Sequence, residues 1–251
     1  VQECDDIIIS VVIPTYNRRD FLSVAMASVL NQKWEVVDDK WELIVVDDAS
    51  SDDTQLLVKR AKFAFKGHLK CIRHEINSGI SKTLNDGILA SRGRYICWLS
   101  DDDYWLDNKI AIQYEKMIKT DVPLSYSDYI AKDTRHNTTK ICRVYPFKNR
   151  EDMIKHLFYD CCINGSTIMA KREMLDKIGL FSEEEKNKWN QDLELWFRIL
   201  MSFDNILHIP IPLITRTNHK DMLSIKYCGV GNEILFREVH KQCAEKGIVI
   251  I

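Results

Sequence analysis

Three consecutive carboxylates, Asp101-Asp102-Asp103, follow the apolar run Tyr95-Ile96-Cys97-Trp98-Leu99 after a single Ser100. A β-strand that stops at Ser100 delivers the triplet into a turn at its carboxyl end, which is where open α/β sheets bind their ligands. Three adjacent negative charges repel one another and gain nothing from burial, so a fold that sets them beside a buried strand has to supply a cation to hold them. Hard oxygen ligands in low number suit Mg²⁺ or Mn²⁺, above all when a substrate phosphate completes the shell. On the triplet alone, a solvated acidic turn is an equal reading.

The same arrangement recurs upstream. Residues 7–13 form a β-branched run closed by Pro14, which suits a strand buried on both faces of a parallel sheet. The turn Thr15-Tyr16-Asn17-Arg18 follows. Asp20 then caps a helix through Gln32, with Phe21, Val24, Ala25, Ser28 and Val29 at helical spacing. A second strand over residues 42–46 ends in Asp47-Asp48, so acidic residues again sit at a strand's carboxyl end. A helix over 56–65, a strand over 69–74, the turn Asn77-Ser78-Gly79 and a helix over 81–90 lead to Gly93 and the triplet strand. This order predicts βαβ units with right-handed crossovers and a mostly parallel sheet with helices on both faces. About residues 1–120 read as a nucleotide-binding half.

Beyond a helix from Asn108-Lys109 to about Lys119 the patterning weakens. Residues 124–131 and 139–145 alternate with period two around the polar turn 133–137. Helices follow near 172–178, over 192–201 and over 232–246. The helix at Asp192 carries Asp192 and Glu194 in its first turn, as the helix dipole favours. The prolines of Ile209-Pro210-Ile211-Pro212 mark an edge strand. No internal repeat or linker divides the 251 residues, which read as one domain with a second half over about 121–251.

Composition removes several classes. With 35 basic and 37 acidic residues the formal charge is -2, so no field favours nucleic acid or an anionic membrane without specific contacts. Eight cysteines without a C-x-x-C pair read as free thiols in a reducing compartment and imply no zinc site. No apolar run approaches the ~20 residues needed to cross a bilayer. The chain starts at Val1 and reads as an excised soluble domain, cytoplasmic or at the cytosolic face of a membrane.

Taken together, residues 12–18, 46–52, Asn77-x-Gly79 and the triplet with Trp105 resemble the GT-A-fold glycosyltransferases of the large inverting family 2. The match continues through residues 179–183 and 191–198 and covers nearly the whole chain. The resemblance implies a GT-A fold, with a mostly parallel central sheet and a small antiparallel acceptor-side sheet. It assigns Pro14, Thr15, Tyr16, Asn17, Arg18, Asn77 and Gly79 to donor binding, and Asp48 to the N3 hydrogen of uracil or thymine. A charge-assisted hydrogen bond from an imide N–H agrees with that role. Helix capping is the alternative for Asp47-Asp48, and simple packing the alternative for Tyr16. The family's acidic pair maps to Asp101, towards the ribose, and Asp102, towards the metal, with Asp103 able to take either role. Ser100 departs from the aspartate of many members. Core packing is expected of Trp98 and Trp105. Asp192 maps to the catalytic base, in a Glu-Asp pair reduced here to Gln191-Asp192, while Trp196 and Arg198 anchor its helix.

Asn164-Gly165-Ser166 lies where the family places its acceptor side, and its residues are common turn formers. His219, in the C-terminal Arg-x-x-His segment, is a candidate metal or phosphate contact. The expected reaction is metal-assisted single displacement, with Mn²⁺ or Mg²⁺, from a UDP-sugar or dTDP-sugar to a hydroxyl of a glycan or lipid-linked saccharide. Two other readings stay open. A sugar-nucleotide pyrophosphorylase usually carries a Gly-rich loop after its first strand, which Pro14-Thr15-Tyr16-Asn17 lacks; a catalytically silent binding module would fit Ser100 and Gln191.

Overall fold

The computed structural model describes residues 7–159, 161, 163–184, 190–220, 222 and 232–248. Four strands, β1 (Ile9–Thr15), β2 (Trp41–Asp47), β3 (Leu69–Arg73) and β4 (Tyr95–Trp98), lie side by side in the order β3-β2-β1-β4, all parallel. Thr15 stands opposite Asp47, and Val12 opposite Trp98, so every carboxyl end leaves the sheet along one edge. β1 and β2 are buried at all positions because both faces are covered, and their sequences are accordingly mostly apolar, with the buried Ser10 Oγ donating to Glu42 at 2.7 Å.

Alternate residues of β1 feed two cores. Val11 and Ile13 pack with Leu22, Met26 and Val29 of α1 (Arg19–Leu30), Val58 of α2 (Thr54–Ala61), and Ile110 and Met117 of α4 (Lys109–Thr120). Val12 faces the other core, with Leu84 and Ile88 of α3 (Ile80–Ala90), and with residues of α6 (Arg172–Ile178), α7 (Gln191–Ser202) and α8 (Asn232–Glu245). A helix α5 (Arg150–Leu157), capped by the Asn149 side chain accepting from Asp152 N at 2.9 Å, joins this second core through Met153 and Ile154. Its sequence is too polar to stand out by periodicity.

The remaining strands extend the same sheet. β8 (Met169–Lys171) runs antiparallel to β4 and to β6 (Leu124–Asp133); β9 (Leu207–Asn218) runs parallel to β6, and β5 (Tyr104–Trp105) closes that side antiparallel to β9. β7 (Thr138–Cys142) forms a hairpin with β6. The expected antiparallel acceptor-side strands are therefore continuous with the central sheet, which is a curled, mixed α/β sheet.

Three expectations are corrected. Asp20 does not cap α1; the helix begins at Arg19 after Arg18, without a side-chain cap, and Asp20 sits in the first turn where the dipole favours it. The buried stripe of α1 is Leu22, Ala25, Met26 and Val29, while Val24 is exposed. Nor are Pro210 and Pro212 on an edge strand: they lie in β9, between β6 and β5, where the β6–β9 register slips around Asp128. β5 reaches only Ile214 and Thr215, so the missing proline N–H groups fall at an irregular, one-sided stretch. Cys71, Cys97, Cys142, Cys161 and Cys243 are free thiols; Cys4, Cys162 and Cys228 lie outside the described residues.

Close packing of chain against chain fixes the entry to β4. A Cβ on Gly93 would stand 2.5 Å from the backbone nitrogen of Ser10, which cannot move without breaking the sheet. Gly93→Ala should therefore destabilise the protein by ~1–3 kcal/mol, the usual range for overpacking, as a lowered urea midpoint with an unchanged slope.

Candidate active site

The loops at the carboxyl edge are stitched to one another. Asp48 N donates to Thr15 O at 2.9 Å, Asn17 N to Ser50 Oγ at 2.9 Å, and Ser51 N to Asn17 Oδ1 at 2.7 Å. Asn17 and Ala49 both sit in the left-handed region, at φ 53 and 65. The asparagine tolerates this; the alanine is held there at a cost of about 1–2 kcal/mol. Tyr16, at the rim, keeps 45% of its surface exposed, so core packing is not its role. Pro14 and Thr15 are buried at the end of β1, and Asn77 is exposed.

The acidic triplet supplies a different partner to each carboxylate. Asp101 accepts from Thr15 Oγ1 at 2.8 Å and from Arg18 at 3.1 Å. Asp102 accepts from the same Arg18 nitrogen at 2.8 Å, and its Oδ2 lies 3.0 Å from His219 Nε2. Asp103 turns inward, to Ser166 Oγ at 2.6 Å and to the backbone N–H of Thr217 at 3.1 Å. Burial pushes Asp101 up to about 6 against the pull of Arg18. It pushes Asp103 up to about 7, with the charge of Asp102 adding to it. Burial acts on Asp102 in the same sense, yet its hydrogen bond with His219 and the charge of Arg18 outweigh it and hold the carboxyl below its ordinary value. Trp98 and Trp105 are buried core residues, as expected. Trp105 Nε1 donates to Ser166 O at 3.1 Å, and the ammonium of the fully buried Lys109 lies 4.1 Å from its ring centre.

With both oxygens of Asp103 bound inside the fold and Asp101 held by Thr15 and Arg18, Asp102 and His219 are the pair that suits a cation. Among the described residues no three acidic, histidine or cysteine side chains converge into a metal cage. One carboxylate and one imidazole fit a Mn²⁺ or Mg²⁺ that takes its other ligands from substrate phosphate and water.

At the end of β2 the two aspartates divide. Asp47 accepts from Arg73 at 2.6 Å and from Ser50 N at 2.9 Å, which fixes the loop. Asp48 accepts from Ser78 N at 2.7 Å and Gly79 N at 2.9 Å, and meets His74 Nδ1 at 2.7 Å. Gly79 sits at φ +86 with open space around it, so the glycine is required by the backbone that turns its N–H towards Asp48.

Asp192 is unlike all of these. It lies in the first turn of α7, part-exposed but walled in by surrounding chain, and no described residue hydrogen-bonds its carboxylate. Burial alone pushes its pKa up to about 6. One turn further on, Trp196 stacks on Trp98 with ring centres 6.0 Å apart, and Trp98 precedes the triplet by three residues. Arg198 fastens the helix to the chain after α6 through the carbonyls of Ile178, Gly179 and Leu180. Asn164 caps a 3-10 turn over Gly165–Thr167 by accepting from Ser166 N at 2.8 Å; a Cβ on Gly165 would meet Trp98 Nε1 at 2.5 Å.

A family model described as glycosyl transferase family 2 matches residues 10–179, more than half of the chain. The chain belongs to this family. An uncharacterised glycosyltransferase of Rickettsia prowazekii is 30% identical over 195 residues, 76% of this chain and 58% of that protein. The chain thus spans less than two thirds of that relative's length. An Escherichia coli UDP-Glc:α-D-GlcNAc-diphosphoundecaprenol β-1,3-glucosyltransferase, WfgD, is 30% identical over 196 residues, 78% of this chain and 71% of the relative. In fold, the chain is similar to Staphylococcus aureus TarS 1-349 in complex with UDP-GlcNAc, with a TM-score of 0.72 over 94% of this chain and 66% of that one, at 18% identity. It is also similar to the mannosyltransferase PcManGT from Pyrobaculum calidifontis in complex with GDP-Man and Mn²⁺, with a TM-score of 0.66 over 96% and 64%, again at 18% identity.

Sequence reasoning missed His74, Ser166 and Thr217 as partners of the acidic residues, and did not pair Arg18 with the triplet. The only available signal was that buried carboxylates require donors.

A carboxylate that no described residue partners has a thermodynamic signature. Below 3.8 both the folded and the unfolded chain keep the proton on Asp192; between 3.8 and about 6 the unfolded chain loses it first, so stability falls as pH rises. Above about 6 the fold carries an unpaired charge in full. Asp192→Asn should therefore gain ~1 kcal/mol or more in denaturant titrations at about pH 8 and match the parent at about pH 3.5.

Proposed function

We propose that this family 2 domain moves a sugar from a UDP-sugar, or a dTDP-sugar, to a hydroxyl of a glycan or lipid-linked saccharide, with inversion and with Asp192 as the base. The observation that carries this reading is the unpaired Asp192 carboxylate, which burial brings near the pH at which a general base works best. Asp192 takes the proton from the acceptor hydroxyl as its oxygen attacks the anomeric carbon, and the nucleoside diphosphate leaves from the opposite face. Tyr16 stacks on the base, Asp48 accepts its N3–H, and Pro14, Thr15, Asn17, Asn77 and Gly79 shape the pocket; Asp101, steadied by Thr15 and Arg18, faces the ribose. Asp102 and His219 would hold the divalent cation, which when bound supplies positive charge for the departing diphosphate. Arg18, which contacts both Asp101 and Asp102, would pair with the donor's phosphate.

The relatives support the substrate class. WfgD is named for a UDP-sugar donor and an undecaprenol-diphosphate-linked acceptor, and TarS is recorded with UDP-GlcNAc. The Mn²⁺ recorded with PcManGT supports a divalent cation. Among the described residues no helix is long and apolar enough to cross a membrane, and a lipid-linked acceptor would bring the domain to the cytosolic face of one.

Two measurements test the reading. Asp192→Asn keeps the shape of the side chain but cannot take a proton. Transfer should drop by roughly 10²–10⁴, the usual worth of a general base, while calorimetric UDP binding with Mn²⁺ stays near the parent's. Transfer at the parent rate would remove Asp192 from the mechanism. Independently, Asp102→Ala should abolish turnover and the Mn²⁺-dependent part of UDP affinity. If that variant kept full activity in EDTA, the triplet would be a structural turn only.

A further inference from the structure

A carboxylate has about four acceptor positions, two on each oxygen. On Asp48 the fold fills three of them. Oδ1 faces His74 Nδ1 at 2.7 Å and accepts from Ser78 N at 2.7 Å, while Oδ2 accepts from Gly79 N at 2.9 Å. One position is left, on Oδ2. His74 is itself held from both sides: its backbone N donates to Asp47 O at 2.9 Å, and its Nε2 lies 3.0 Å from Asp86 Oδ2 on α3, where Asp86 is paired with Lys82. The ring is nearly buried, at 11% side-chain exposure, and cannot swing away without breaking both contacts.

We infer that His74 is a specificity-determining positioning residue: by occupying Oδ1 of Asp48 it leaves a single acceptor, which admits a base with one N–H on its recognition edge and turns away guanine. The inference rests on the reading of Asp48 as the contact to the donor's base. Uracil and thymine offer one donor, N3–H, flanked by two carbonyl oxygens. A second free carboxylate oxygen there would face a carbonyl and be repelled. Guanine offers two adjacent donors, N1–H and N2–H, which suit both oxygens of a carboxylate side by side, in the manner of a guanidinium. With Oδ1 taken, guanine's second donor loses its water and finds no acceptor, and such an unpaired group is what a polar pocket rejects most strongly. Ser78 and Gly79 contribute through their backbones, so His74 is the one side chain among the three partners through which the pattern can be altered.

The test is the ratio of UDP to GDP affinity, measured by calorimetry with Mn²⁺, because a merely structural role would weaken both nucleotides alike and leave the ratio unmoved. The parent should prefer UDP by at least about tenfold, the lower end of what a hydrogen bond to a charged group provides. His74→Leu should bring the ratio down by about that factor. His74→Gln, whose amide N–H can refill Oδ1, should restore it. Asp86→Ala removes the outer hold on the ring at a more accessible position; it should move the ratio in the same direction, and it serves if His74→Leu does not fold. A folded His74→Leu, or Asp86→Ala in its place, with the parent's ratio would overturn the inference. If Asp48→Ala abolished the preference while His74→Leu retained it, the Asp48 reading would stand and the role of His74 would fall. A parent with no preference, or one whose preference survives Asp48→Ala, would overturn both.

Discussion

Compensation of the acidic turn after β4 is the constraint on which the rest of the site depends. Each carboxylate ties a different part of the chain to the turn: Asp101 the end of β1, Asp102 the Arg18 loop and His219, Asp103 the 3-10 turn at Ser166 and the end of β9. Two of the three are almost fully buried, Asp101 and Asp103 at 4% exposure. Burying a charge is unfavourable unless it is paired and hydrogen-bonded, and here Thr15, Arg18, Ser166, Thr217 and His219 come from segments 63 to 117 residues distant. The turn therefore acts as the hub that brings the β9 side of the sheet to the carboxyl edge of the parallel strands.

The inner and outer members of the triplet consequently do different things. Asp103 is raised to about 7 and has both oxygens bound by fixed donors, the state of a group that holds the fold together. Asp102 is lowered and is met by side chains, those of His219, Arg18 and Ser100, each capable of moving to another partner. A divalent cation competes more easily with side chains than with a backbone N–H. Through Arg18, which contacts both Asp101 and Asp102, a change at either carboxylate is felt at the other.

Much of this was legible in the sequence, and the reasons differ by feature. The parallel strands showed themselves because burial on both faces favours apolar, largely β-branched runs, as in Val11-Val12-Ile13 and Leu43-Ile44-Val45-Val46. α6 and α7 were found within a residue because their apolar residues repeat at helical spacing. β5, with two residues, is too short to carry a period. The prolines of β9 suggested an edge because a proline blocks a ladder, and only tertiary structure shows a register slip that accommodates them inside the sheet. At the site, residue type identified the carboxylates but not which would face inward. Asp101, Asp102 and Asp103 are chemically alike, and their roles are decided by Thr15, Arg18, Ser166 and Thr217, distant in sequence.

Asp192 shows the complementary use of burial. In the acidic turn every buried charge is met by donors, and the structure gains order from them. Asp192 receives none from the described residues, although its place in the first turn of α7 exposes it to the favourable end of the helix dipole. That dipole is worth typically a fraction of a kcal/mol to about 1 kcal/mol and does not offset desolvation, since the carboxyl still rises to about 6. Nothing structural is gained by leaving it so. The helix that carries it is held instead by Trp196 against Trp98 and by Arg198 on three carbonyls, so the strain of an unpaired carboxylate is borne without loss of position. Asp101 and Asp103 are raised as far, to about 6 and about 7, so acidity does not set Asp192 apart from them; what does, and what supports the proposed role as base, is that no described residue donates to its carboxylate.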